Sequence, residues 1–449
     1  MSDRYSAIFK AYDVRGTVPD QFDAEMAGRI GAAFGRFVAD EDPTVSRVLM
    51  ARDMRSSGVE MSAAFGRGVT SQGLDVVDLG LGSTDLLYFA AGSLDAPGAM
   101  FTASHNPAGY NGIKFCRSGA RPVGEESGLM AIRDLASSGV QPAGSTGSVS
   151  SRDVLEDFAR HVRSFVDVGA LRPLKVVADT ANGMGGLVVP AAFAGLPFDL
   201  ELMYAELDGT FPNHPADPIQ PENQLDLMAR VVEAGADVGL AFDGDADRVF
   251  LVDEHGVGVS GSTTTAILAD ALVRRNGGGS VVYNLICSKA VPEVIREAGG
   301  EPIRSRVGHS FIKTVMAESG AIFGGEHSAH YYFADNYRAD SGLIAAVLVL
   351  EQMCIRRLRL SELRIPYERY SASGEINTVV DDPAVVIDRV ASAYVGSDSD
   401  RLDGLTVDLG DWWFNLRPSN TEPLLRLNLE AATPAEVAKR VAEVRSHFD

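Results

Sequence analysis

The sequence is poor in cysteine, in cationic side chains and in long apolar runs. Only three cysteines occur in 449 residues, Cys116, Cys287 and Cys354, far apart and with no CxxC pair. That excludes a disulfide framework and a cysteine-based zinc site, and it leads to the expectation of a reducing, cytoplasmic setting. Lys and Arg total 40 against 61 Asp and Glu, a formal net charge of -21. Such a chain repels nucleic acid and anionic membranes, so neither is expected as a partner. No apolar stretch approaches the ~20 residues needed to span a bilayer. The longest candidate, around 342–350, is the size of a core element. Behind Met1-Ser2-Asp3-Arg4 there is no apolar signal-peptide core.

What is present reads as an ordinary globular chain, 45% hydrophobic and 22% charged. Its length exceeds what one hydrophobic core serves, so roughly three or four domains are expected. Short β-branched runs alternate with helical patterns, the mark of βαβ units and largely parallel sheets. Strands are predicted at 47–50, 174–178, 238–242 and 280–283, and helices at 225–234, 263–274 and 290–297. Breaks fall in the Ser/Gly/Pro-rich stretch 137–151, near 254–258 and around 364–366. They divide the chain into α/β units at 1–150, 151–254 and 255–367. A shorter α+β unit follows at 368–449, with antiparallel strands and a last helix that Thr433 caps with Pro434 at its first position.

Four loops carry chemistry. The first is Thr102-Ala103-Ser104-His105-Asn106-Pro107, followed by Gly109-Tyr110-Asn111-Gly112-Ile113-Lys114. Turn formers after a short strand should leave Ser104 exposed at a strand end. A serine hydroxyl needs a base or a charge field to act as a nucleophile, and His105 and Lys114 are both local candidates. A capping or turn serine is the bland alternative, but nothing structural requires the whole string. The second loop, Asp243-Gly244-Asp245-Ala246-Asp247-Arg248, follows a predicted strand. Three carboxylates at alternate positions can converge on one hard cation, and crowded without one they would repel. An EF-hand fails here, because Arg248 replaces the turn glycine and the flanks read as strands. A haloacid-dehalogenase-type aspartate nucleophile is weakened by Asp247, which stands where that pattern expects Thr or Val.

The third loop, Gly324-Gly325-Glu326-His327-Ser328-Ala329-His330, offers acceptors and donors suited to neighbouring sugar hydroxyls, though a polar turn reads the same. The fourth, Arg417-Pro418-Ser419-Asn420-Thr421-Glu422-Pro423, combines an arginine fork, two hydroxyls, an amide and turn N–H groups. Those are the donors that surround a phosphate, although an ordinary β-turn is the alternative. An acidic chain can therefore still take a small phosphorylated substrate.

Together these loops, preceded by Phe9-Lys10-Ala11-Tyr12-Asp13-Val14-Arg15-Gly16, resemble the α-D-phosphohexomutase family in its phosphomannomutase/phosphoglucomutase branch. The resemblance spans nearly the whole chain with the motifs in order. It implies four domains around a central cleft, three of them related α/β units and the last a smaller α+β unit. By motif, Ser104 would be the phosphoserine, with Asp243, Asp245 and Asp247 holding Mg2+ and the phosphoserine as a further ligand. Arg248 would face the substrate. Glu326, Ser328 and His330 would read the sugar, while Arg417, Ser419, Asn420 and Thr421 would clamp a phosphate. Tyr12 and Arg15 match the segment that reaches the cleft, and Lys114 and His309 match proton-transfer groups.

The reaction implied interconverts hexose 6- and 1-phosphates of mannose or glucose through a hexose 1,6-bisphosphate, which also serves as activator. Glycine is usual in the family where Ala329 stands, so sugar contact there depends on whether the loop needs a positive φ. Rivals are phosphoglucosamine mutase, against which His327 and Tyr331-Tyr332-Phe333 speak, an aspartyl-phosphate phosphatase, and a non-catalytic sugar-phosphate sensor.

Overall fold

The structure, a computed structural model, describes residues 2–418 and 424–448. The chain folds into two compact units, one formed by 1–260 with 328–362 and the other by 261–327 with 363–449.

The first unit carries two sheets. Its N-terminal sheet contains β1 (Val14–Thr17), β2 (Arg47–Arg52), β3 (Asp75–Leu81), β4 (Gly98–Phe101), β5 (Tyr110–Cys116) and β6 (Val149–Ser151) in the order β1-β5-β4-β2-β3-β6. Strands β6, β3, β2 and β4 run parallel, whereas β5 pairs antiparallel with β4, and the outer β1 pairs antiparallel with β5. The apolar residues at helical spacing in Ala24–Glu41 bury Ile30, Phe34 and Phe37, and Asp23 caps that helix by accepting from the Met26 N–H at 2.8 Å. Phe34 meets the core beside Phe65, Phe101 and Phe115.

The second sheet contains β7 (Leu174–Asp179), β8 (Phe198–Met203), β9 (Val238–Phe242), β10 (Val249–Asp253) and β11 (Gly258–Val259) in the order β11-β10-β9-β7-β8. All five residues of β9 are buried, as expected of an interior strand covered on both faces, which explains its unbroken apolar run. Strands β9 and β10 pair antiparallel, Phe242 opposite Val249, so the acidic loop 243–248 is the turn of a hairpin. Helix Gly342–Arg356 is buried from Gly342 to Cys354, which accounts for the longest apolar run as a core element. Among the described residues no helix is long and apolar enough to cross a membrane.

In the other unit, β12 (Ser280–Asn284) lies between β13 (Glu301–Ser305) and β14 (Phe323–Gly325), all parallel. Its C-terminal part is a separate antiparallel sheet of five strands. Alternating residues Leu425, Leu427 and Leu429 pack with Trp412, Phe414 and Leu416 under helices Pro383–Ala393 and Pro434–Arg445. Thr433 caps the last helix, accepting from the Glu436 N–H at 3.2 Å. Three mixed or parallel α/β sheets followed by an antiparallel α+β module are the architecture expected from the sequence.

Candidate functional site

Ser104 lies three residues beyond β4, and Asp243 is the first residue after β9. Both loops leave the ends of their strands within the first unit, and they meet. Ser104 Oγ donates to Asp243 Oδ2 at 2.8 Å across 139 positions of sequence. Gly244 makes this approach feasible, because a Cβ there would stand 2.5 Å from the Ser104 carbonyl oxygen. The expectation of an exposed serine is therefore corrected: Ser104 is only 5% exposed, since the acidic turn packs directly on it. The serine also sits at φ 48, in the left-handed region, with its N–H donated to Thr102 Oγ1 at 2.8 Å.

Asp243, Asp245 and Asp247 are buried, and their candidate ligand oxygens all lie within 4.8 Å of one another. Their mutual repulsion is offset by two buried cations that the sequence did not place against them. Lys114 Nζ bonds Asp245 at 2.8 Å and Asp247 at 2.6 Å, and Arg248 Nε bonds Asp243 at 2.9 Å. Burial alone would discharge Lys114, but the two carboxylates outweigh it and hold the ammonium well above the usual lysine range. Burial likewise opposes the charge of Asp245, yet Lys114 and its hydrogen bond hold that carboxyl low. Asp243 goes the other way: burial pushes it up to about 7, against the pull of Arg248.

His105 completes this cluster. Its Nδ1 lies 3.2 Å from Ser104 Oγ and accepts from Arg248 Nη2 at 2.8 Å. A guanidinium can only donate, so Nδ1 carries a lone pair and the ring is neutral. Burial, then the charges of Arg248 and Arg15, push its pKa well below the ordinary value, in agreement. Arg15 reaches Asn106 Oδ1 at 2.5 Å, which ties the N-terminal motif to the serine loop. Tyr12 is half-buried three residues before it. His330 lies on the same unit, with Nδ1 2.9 Å from Asp340 and 3.9 Å from Asp247.

Sequence reading missed two contributors. Thr84, at the start of helix Thr84–Ser93, donates its hydroxyl to Asp245 Oδ2 at 2.5 Å. Arg55 spreads its guanidinium over the backbone of the serine loop. Both read as unremarkable loop or capping residues, and no spacing rule links either to its partner.

In the other unit, Glu326 is 1% exposed, and Asn284 Nδ2 and the Gly308 N–H both donate to its Oε2, at 3.0 and 3.1 Å. Arg417 pairs with Glu375 at 2.8 Å. His309 is the first residue of helix His309–Ser319, its side chain outside the description, and Ser419, Asn420 and Thr421 lie outside the described residues. Ser328, in the first unit, is partly exposed. Its neighbour Ala329 adopts φ 65 and is fully buried, so the loop does take the left-handed conformation. An alanine bears that at a cost of about 1–2 kcal/mol.

Models of the phosphoglucomutase/phosphomannomutase family match as alpha/beta/alpha domain I over residues 6–139, domain II over 156–256, domain III over 260–370 and the C-terminal domain over 375–447. The chain belongs to this family. It is 40% identical over 428 residues to a protein of Xanthomonas campestris pv. campestris named for phosphohexose mutases, covering 94% of each. It is 39% identical over 438 residues to the phosphomannomutase of Salmonella typhimurium, again covering 94% of each. Among solved structures, a phosphoglucomutase/phosphomannomutase family protein of Burkholderia thailandensis superposes with a TM-score of 0.89 at 31% identity, covering 98% of this chain and 96% of that one. The N-acetylphosphoglucosamine mutase of Aspergillus fumigatus, solved with GlcNAc-6P and magnesium, shares the fold alone, at TM-score 0.61 and 13% identity over 99% and 97% of the two chains. As a member of the phosphoglucomutase/phosphomannomutase family the chain is an enzyme, an isomerase of the mutase kind.

Proposed function

We propose that the protein interconverts the 6- and 1-phosphates of a hexose, mannose or glucose, through a phosphorylated Ser104 and a bound hexose 1,6-bisphosphate. The observation that carries this reading is the Ser104 hydroxyl, 2.8 Å from Asp243, buried among three aspartates and two cations. The name of the Salmonella typhimurium relative, a phosphomannomutase, supports mannose, and the family's own description adds glucose.

Phosphoryl transfer proceeds through a loose transition state, so the protein mainly aligns the reactants and neutralises charge. The P–Oγ bond of phosphoserine 104 breaks as a new P–O bond forms to the free sugar hydroxyl, whose proton goes to a general base. The bisphosphate turns end for end, and the other phosphoryl returns to Ser104 Oγ. Asp243 Oδ2, which already accepts the Ser104 hydroxyl at 2.8 Å, suits the proton that leaves Oγ when the free serine is phosphorylated, whereas the Nδ1 lone pair of His105 is taken by Arg248. Lys114, held charged, suits neutralisation better than proton abstraction in this form. Arg248 adds a second positive charge, and Glu326, Ser328, His330, Tyr12, Arg15 and the Arg417 loop are assigned to sugar and phosphate recognition.

The acidic cluster fits a magnesium ion. Asp245 Oδ1 and Asp247 Oδ1 are buried with no hydrogen-bond partner, an arrangement that a hard cation would satisfy. When bound to Asp243, Asp245 and Asp247, with the phosphoserine as a further ligand, it would neutralise charge developing on the phosphoryl oxygens.

The test is to incubate purified protein with hexose 1,6-bisphosphate and measure its intact mass. One added phosphoryl group, stable to hydroxylamine and absent from Ser104→Ala, is expected. A hydroxylamine-sensitive acyl phosphate would sink the reading in favour of an aspartyl-phosphate phosphatase. Coupled assays with mannose, glucose and glucosamine 1-phosphates then rank the sugars.

A further inference from the structure

Arg55 lies three residues beyond β2 and is 2% exposed, one of the largest fully buried side chains of the protein. Nothing in its sequence position suggests a link to the serine loop, yet it is committed to that loop. Its Nη2 donates to the carbonyl oxygens of Ser104 at 2.9 Å and Asn106 at 2.6 Å. Its Nη1 donates to those of Pro107 at 2.8 Å and Tyr110 at 3.0 Å. Nε turns back to Asp53 Oδ2 at 3.2 Å, and Asp53 also accepts the Arg55 N–H at 2.9 Å. These bonds engage all five N–H donors of the guanidinium. The ring of Phe211 covers the group at 5.1 Å.

The arrangement needs a physical reason, because a buried arginine is costly and this one gives four of its five donors to the carbonyls of one loop. Ser104 supplies one. At φ 48 it occupies backbone space that a non-glycine residue leaves unless its surroundings hold it. That conformation is the one in which Oγ reaches Asp243. Four carbonyls of one loop gathered on a single planar fork form such a restraint, and Thr102 Oγ1 adds another at the Ser104 N–H.

We propose that Arg55 is a positioning residue for phosphoryl transfer, pinning the carbonyls of residues 104, 106, 107 and 110 so that Ser104 stays in its left-handed conformation with Oγ on the acidic cluster. The inference rests on the phosphoserine reading above. Arg55 bonds the loop carbonyls and not Ser104 Oγ, so its effect falls on alignment. Lysine cannot replace it, because one ammonium cannot reach four carbonyls from a single point.

Arg55→Lys is the informative variant, since it keeps a cation beside Asp53, which alanine would strand. It is assayed below its melting temperature, with kcat, KM for hexose 1-phosphate, and the rate at which hexose 1,6-bisphosphate phosphorylates Ser104 measured by mass. Expected are a kcat lower by about a hundredfold, a KM close to the parent's, and a phosphorylation rate lowered by the same factor as kcat. Should Arg55→Lys fail to fold, Thr102→Val, which keeps the shape but loses the acceptor for the Ser104 N–H, is expected to show the same split. Guanidinium added to Arg55→Ala is expected to restore part of the phosphorylation rate. A parent-like kcat in the variant assayed, or a loss confined to melting temperature or KM, overturns the proposal. The two levels separate cleanly. A parent enzyme that never acquires phosphate on Ser104 overturns the phosphoserine reading itself. Parent and variant phosphorylated at equal rates overturn only the role of Arg55.

Discussion

Lys114 Nζ lies 2.6 Å from Asp247 Oδ2, 133 positions away in the chain, and 2.8 Å from Asp245 Oδ2. A buried cation thus shares the carboxylates assigned to magnesium. At an effective dielectric of ~20, a charge pair ~4 Å apart is worth ~4 kcal/mol, so the lysine and a metal ion compete for the same field.

Replacing that lysine tests the competition. Lys114→Gln leaves buried carboxylates without their partner, and the metal-free variant is expected to lose about 3–5 kcal/mol of stability. Added Mg2+ should raise its melting temperature more than it raises the parent's, while turnover falls. Equal Mg2+ shifts in variant and parent would count against shared carboxylates.

Thr84 orients Asp245 through a 2.5 Å hydrogen bond. Thr84→Val keeps the volume and removes the hydroxyl, and it should weaken Mg2+ binding by about 10–100-fold, as loss of a ligand's outer partner does. Isothermal titration with MgCl2 reads this directly, and an unchanged affinity would rule out the orienting contact.

His214 gives the protein a pH-dependent tie. Its Nε2 lies 3.0 Å from Asp179 Oδ2. Burial alone would lower its pKa, but the hydrogen bond and charge of Asp179 outweigh it and raise the value above the ordinary ~6.5. The folded state then binds this proton more tightly than the unfolded chain. The stabilisation is fully present below pH ~6.5 and disappears as pH rises through the folded pKa. Urea midpoints of the parent and of Asp179→Asn are therefore expected to differ most at pH ~6 and to converge at higher pH. A gap that widens with pH would contradict the pairing.

Phe65 anchors the core beneath the serine loop. It is fully buried, with Phe101, the last residue of β4, edge-on at 5.4 Å and Phe34 at 6.1 Å. Phe65→Ala should cost about 3–5 kcal/mol in denaturant unfolding. A loss under ~1 kcal/mol would mean that the neighbouring rings close the cavity.

Much of this protein is legible in its sequence. The helices at 225–234 and 290–297 and the strand at 238–242 carry the bounds read from periodicity, because caps, turns and apolar spacing are local properties of the chain. The serine string and the acidic string were likewise legible, since each is contiguous and few structural needs produce such residues in such an order. Less legible were the properties that depend on what lies opposite. Ser104 was expected to be exposed and is buried, because Gly244 lets the acidic turn sit against it. Ala329 left open whether its loop needs a positive φ, and the backbone answers that it does.

The sequence by itself determined the α/β rhythm, the family and the residue types that can hold a phosphoryl group and a hard cation, all written in short contiguous segments. Only the tertiary structure decided that Lys114 neutralises Asp245 and Asp247, that His105 is held neutral by Arg248, and that Arg55 and Thr84 brace the two loops. The physical reason is one of range. Secondary structure follows from neighbours a few residues apart, whereas charge balance and backbone restraint depend on groups brought together from distant strand ends, and no local spacing encodes those distances.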